Sequence, residues 1–126
     1  MKTVVMDLDG TLTIDEPGAP YADRKPRLDV VEKLRAMREQ GFRIVISTAR
    51  NMNTYGGNVG QINIKTLPTI LSWLDRHDIP YDEVLVGKPW CGFEGFYVDD
   101  KAIRPDEFVA LDLPAINALV GSKDKR

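Results

Sequence analysis

Apolar and polar positions change period repeatedly along the chain. Residues 2–7 hold a short apolar run that ends on an aspartate, and "FRIVIS" (42–47), "EVLVG" (83–87) and "GFYVDD" (95–100) repeat that form. Short apolar runs rich in β-branched and aromatic residues, each closed by a polar residue or glycine, predict four buried strands. Between the first two, Val30, Val31, Leu34 and Met37 recur at helical spacing on a charged background, which predicts a helix over 29–40 with Gly41 as its stop. Leu67, Ile70, Leu71 and Leu74 predict a second helix, with Thr66 as cap and Pro68 in the first turn. A short helix is expected over 105–111, and a last one after Asp112 with Leu113, Ile116, Leu119 and Val120 facing in. Residues 12–28, with three prolines and many charges, read as a surface excursion, and residues 50–65, with three glycines and no clear period, as a loop. Strands alternating with helices predict a three-layer, Rossmann-like α/β fold: a parallel sheet with helices on both faces.

Composition narrows the picture. The 126 residues suit a single domain spanning 1–126. The formal net charge is −2, and the only basic run is the tail at 123–126, which is expected to be a solvated end. Nucleic-acid binding through bulk charge is therefore not expected. The chain has one cysteine, so no intrachain disulfide can form, and the N-terminus carries no signal-like stretch. No apolar run is long enough for a membrane span. The expectation is a cytoplasmic protein with no membrane partner.

In an open α/β sheet, ligands bind beyond the carboxyl ends of the strands. The first strand delivers Asp7 and Asp9 there, the second Ser47, Thr48 and Arg50, the third Lys88 and the fourth Asp99 and Asp100. Carboxylates crowded at one edge repel unless a cation lies between them, and Mg²⁺ is the expected one. Asp7 then suits a nucleophile that forms an aspartyl-phosphate, and Asp9 an acid/base for the leaving oxygen and the attacking water. Thr48 and Lys88 suit the phosphoryl oxygens. Asp7, the Asp9 carbonyl, and Asp99 or Asp100 are the expected metal ligands. Gly10 and Thr11 suit a tight turn whose N–H groups approach the phosphate. Arg50 fits equally a substrate anion or a pairing with one of the carboxylates.

"DLDGT", "VIST", "GK" and "VDD", in this order, resemble the four motifs of the haloacid dehalogenase-like phosphohydrolases. "STARNMNTYGGNVGQIN" and "IPYDEVLVGKPWCGFEGFYVDDKAIRP" are similar to the small phosphatases of capsule and cell-surface polysaccharide biosynthesis. That resemblance spans most of the chain and implies a phosphorylated sugar or sugar-derived substrate; against larger members of the family it implies a fold with no cap domain, since neither 12–28 nor 50–65 is long enough for one. In "NMNTYGGNVGQIN" the amides, Asn51 first, suit sugar hydroxyls. Met52, Tyr55, Val59 and Ile62 of the same stretch want cover, which is expected from a second copy in a homo-oligomer, with packing on their own domain as the alternative.

Three other functions use similar residues. A receiver-like signalling module has an acidic cluster, a Thr or Ser and a lysine, but in a different order. A phosphotransferase or mutase passes the phosphoryl group to a sugar hydroxyl. A polynucleotide-end phosphatase uses the same four motifs on an open site. His77, the only histidine, sits where a helix C-terminus favours a cation, and Cys91 reads as a filler or loop residue. A Ser-His-Asp site is not expected.

Overall fold

The computed structural model describes residues 2–121; the basic tail at 123–126 lies outside them. Strand β1 (Thr3–Met6) runs parallel to β4 (Arg43–Ser47), with Met6 opposite Ile46. β4 in turn runs parallel to β5 (Glu83–Leu85), with Ser47 opposite Leu85. The order β1-β4-β5 puts β4 in the centre. That explains why Ile44, Val45 and Ile46 are all buried while the flanking strands are only half covered. The fold is α/β, a three-stranded parallel sheet flanked by helices.

Helix α1 (Leu28–Glu39) turns Val30, Val31, Leu34 and Met37 inward. They form one core with Met6, Ile44 and Ile46 of the sheet, Ile70, Trp73 and Leu74 of α3 (Leu67–Arg76), and Phe108 of α4 (Pro105–Ala110). The stop at Gly41 is physical: its φ of 91° is left-handed, and Phe42 N–H bonds back to the Met37 carbonyl.

Four local expectations are corrected. The excursion at 12–28 carries a small antiparallel pair, β2 (Thr13–Ile14) with β3 (Lys25–Pro26), and a single 3-10 turn at Tyr21–Asp23. The expected loop at 50–65 ends in helix α2 (Val59–Lys65), started by Asn58, whose Oδ1 accepts from Gln61 N–H. Its Ile62 is buried in this same chain, so that residue needs no second copy to cover it. The last helix, α5 (Leu113–Val120), begins at Asp112 as expected but buries no residue fully, and Leu119 is 55% exposed. Finally, residues 95–100 form no strand. β1 is left at the edge of the sheet, with Val5 66% exposed, and Phe96 (79%) and Val98 (88%) face solvent. Two hydrogen bonds of this segment are local: the Tyr97 hydroxyl donates to the Pro89 carbonyl and the Asp99 carboxylate accepts from Lys101 N–H. Among the described residues no helix is long and apolar enough to cross a membrane.

Candidate active site

The carboxyl ends of β1, β4 and β5 open onto a cavity of about 380 Å³. Asp7 and Asp9 reach it from β1, Thr48, Arg50 and Asn51 from β4, and Lys88 from β5. Tyr21, Trp90, Phe93 and Tyr97 supply aromatic wall.

The turn after β1 is tightly built. The Leu8 carbonyl accepts from the N–H groups of Thr11, Leu12 and Thr13, while Leu8, Leu12 and Thr13 are fully buried. Gly10 has a φ of 78°, a left-handed value suited to glycine. Its N–H donates to Thr13 Oγ1. The N–H groups of Gly10 and Thr11 are therefore spent inside the turn and neither residue lines the cavity, contrary to the expected phosphate contact. Thr11 acts through its hydroxyl instead, which donates to Asp7 Oδ2 at 3.0 Å.

Asp7 Oδ1 lies 3.7 Å from Lys88 Nζ. The lysine is delivered by a short, fixed path. Thr48 N–H bonds the Leu85 carbonyl and Lys88 N–H bonds the Thr48 carbonyl, so β4 and the segment after β5 are locked together at the site. Between them Gly87 has a φ of 85°, and a Cβ there would fall 2.9 Å from Val59 Cγ2. Lys88 Nζ also lies 4.4 Å from the ring centre of Tyr97. Burial, and after it Cys91 and the charge on Asp7, raise the Tyr97 phenol above its ordinary value, which keeps it a neutral donor.

Thr48 is buried, and its Oγ1 accepts from Arg50 N–H, which turns the chain sharply after β4. Arg50 then reaches back to Asp9. Its Nε donates to Oδ2 at 3.0 Å and its Nη2 to Oδ1 at 2.7 Å, a two-bond fork from a side chain only 1% exposed. Of the two roles open to Arg50 in the sequence, pairing with a carboxylate is the one seen. Asn51 adopts a φ of 63°; its Oδ1 accepts from the Thr66 hydroxyl and its Nδ2 donates to Thr54 Oγ1. Ser47 is paired within the sheet and does not line the cavity.

Sequence reasoning missed Arg24 and Tyr21. Arg24 Nη1 donates to Asp9 Oδ1 at 3.0 Å, and the Tyr21 ring centre lies 4.4 Å from the Arg24 guanidinium carbon and 4.2 Å from that of Arg50. The only signal was an arginine and a tyrosine in a proline-rich stretch, which is no signal for a contact with Asp9.

Asp99 and Asp100 are exposed and do not line the cavity. Among the described residues no three His, Cys, Asp or Glu side chains gather where a metal ion could be held. Mg²⁺ wants several oxygen ligands in near-octahedral geometry. With Asp99 and Asp100 outside the cavity, Asp7 is the one expected side-chain ligand that lines it, and the side chains as placed do not fit the ion.

The chain is 57% identical to an MCSG target from Vibrio cholerae whose crystal structure is solved; the match covers 98% of this chain and 100% of that one with a TM-score of 0.93. The two proteins belong to one family and share one fold. More distant likenesses are two chains from structures of the Pnkp1/Rnl/Hen1 RNA repair complex, at 22% and 24% identity and TM-scores of 0.53 and 0.52. Each covers 68% of this chain, which corresponds to only 25% and 27% of theirs, and at that identity the likeness is one of fold. No protein-family model and no curated protein matches the chain.

Proposed function

We propose that the protein is a phosphomonoester phosphatase of the haloacid dehalogenase-like kind, acting on a phosphorylated sugar or sugar-derived metabolite of polysaccharide biosynthesis. The observation that carries this reading is Asp7 and Lys88, beyond the ends of separate strands, meeting at 3.7 Å in a cavity that Thr48 also lines. Asp7 Oδ1 or Oδ2 attacks phosphorus, the ester P–O bond breaks, and the leaving oxygen takes a proton from Asp9. Asp9 then takes a proton from water, the resulting hydroxide attacks the phosphorus of the aspartyl-phosphate, and inorganic phosphate leaves with Asp7 regenerated. Lys88 and the Thr48 hydroxyl hold the phosphoryl oxygens as charge spreads over them. The side chains as placed do not hold Mg²⁺, so no step here is routed through it; Lys88, 3.7 Å from Asp7, offsets the repulsion between that carboxylate and the incoming dianion. A cytoplasmic setting and a homo-oligomer are also proposals, the second resting on Phe96 and Val98, which this chain leaves uncovered.

The test is a panel of sugar phosphates, phosphorylated sugar acids, nucleotides and phosphate-ended oligonucleotides, with Mg²⁺ and with EDTA. The proposal expects release of inorganic phosphate from one sugar class, and the EDTA arm reads whether that release needs a cation that the side chains as placed do not hold. Turnover confined to oligonucleotide ends would favour end repair, and a stable phosphoprotein formed from acetyl phosphate with no turnover would favour a signalling module.

A further inference from the structure

We propose that Arg24 is a positioning residue for Asp9: a guanidinium carried in from the 12–28 excursion that fixes which carboxylate oxygen stays open for proton transfer. The inference rests on the phosphatase reading, in which Asp9 moves protons. A carboxylate offers about four lone-pair sites, two on each oxygen. Arg50 Nη2 and Arg24 Nη1 both donate to Asp9 Oδ1, at 2.7 and 3.0 Å, which fills that oxygen. Oδ2 takes a single bond, from Arg50 Nε, so its second site is the open one. Without Arg24, Oδ1 also has an open site, and proton transfer is no longer confined to one direction.

The surroundings are built to hold Arg24 in place. The same Nη1 also donates to Asp15 Oδ1 at 2.9 Å, so its two hydrogens serve two carboxylates. Asp15 is in turn fixed by the Thr13 hydroxyl, which accepts from Gly10 N–H in the turn that bears Asp9. Two guanidinium charges beside one carboxylate leave an excess of positive charge; Asp15 removes it, with Arg24 and Arg50 set against Asp9 and Asp15. The backbone of Arg24 is tied to the core as well, since its carbonyl accepts from Nε1 of the buried Trp73 at 2.7 Å. Arg24 Nε and Arg50 Nη1 are buried with no hydrogen-bond partner. The Tyr21 ring beside both guanidinium groups gives these N–H groups a π surface in place of water.

The experiment compares wild type, Arg24→Ala and Arg24→Lys on two esters that differ in leaving group: a sugar phosphate, whose alkoxide needs a proton, and an aryl phosphate, whose phenolate needs it far less. Misplacing a catalytic group by about 1 Å costs on the order of 10²-fold. Arg24→Ala is expected to lower kcat on the sugar phosphate by about that factor, with KM nearly unchanged and a much smaller loss on the aryl ester. Arg24→Lys, which keeps one charged donor, is expected to recover part of the loss, as is added guanidinium with Arg24→Ala at concentrations below unfolding. Equal losses on both esters, or a loss in KM alone, would overturn the positioning role. If Arg24→Ala does not fold, Arg24→Lys carries the same comparison, since a changed leaving-group ratio is still expected of it. Absence of turnover in the wild type on every ester would strike the phosphatase reading itself and so is distinct from failure of the Arg24 assignment.

Discussion

Replacing Gly87 by alanine tests the link between the sheet and Lys88. The substitution has two separable costs. Holding an L-residue at a φ of 85° costs roughly 1–2 kcal/mol. The new methyl also falls 2.9 Å from Val59 Cγ2. Overpacking in a closed core costs about 1–3 kcal/mol, but Val59 is 41% exposed and has room to turn, so the low end applies. The sum is about 2–3 kcal/mol, or a fall in Tm of roughly 6–15 °C for a chain of this size. Urea melts of the wild type, Gly87→Ala, Val59→Ala and the double variant separate the terms. Relief of the clash in the double variant should return about 1 kcal/mol as a coupling energy, leaving the backbone cost in place. A single variant destabilised by less than about 0.5 kcal/mol, the range of ordinary surface changes, would show that neither the φ nor the contact constrains this turn. A double variant with no coupling would refute the packing half alone.

Asp7→Asn is expected to abolish phosphate release, and Asp9→Asn to lower it on the order of 10²–10⁴-fold on poor leaving groups, measured by malachite-green assay; near-full activity of Asp9→Asn on a sugar phosphate would remove the acid/base assignment. Thr66→Val keeps the buried shape but leaves Asn51 Oδ1 without its 2.8 Å donor. It is expected to cost about 1 kcal/mol in urea melts and to raise KM for the sugar ester, and an unchanged KM would detach the 51–57 segment from substrate binding. Burial, then the neighbouring Arg76, lowers His77 below 6.5 in the folded chain. The unfolded chain therefore binds the extra proton first, and stability falls as pH drops through 6.5 and levels off below the folded value. Urea midpoints of the wild type and His77→Gln should converge above that window and part within it; parallel curves would refute the linkage.

The strands and helices legible in the sequence are those whose side-chain period is complete. Helix α1 shows its core stripe directly, and β4 shows an unbroken apolar run because it is central and buried. Helix α2 escaped notice because seven residues with one buried side chain, Ile62, make too little period to see. Its start was nevertheless written in Asn58, whose amide caps the helix. β2 and β3 are two residues each and take their direction from pairing across the excursion. "GFYVDD" has strand composition, but composition sets no partner, and here it pairs with no strand. At the site, Asp7, Asp9, Thr48 and Lys88 were legible because each follows a strand. Arg24 was not: it meets Asp9 fifteen residues away and Trp73 forty-nine away, and no local pattern encodes either distance.

β5 is three residues long, lies at the sheet edge, and joins Lys88 to the central β4. Short edge strands exchange their amide hydrogens through local opening, at a smaller free energy than unfolding of the whole domain. Opening of β5 breaks the bond from Thr48 N–H to the Leu85 carbonyl and frees Lys88 from its register with Asp7, while α1, β1 and β4 stay folded around Ile44 and Leu34. Opening of β5 alone thus parts the lysine from the aspartates while the core around Ile44 stays packed.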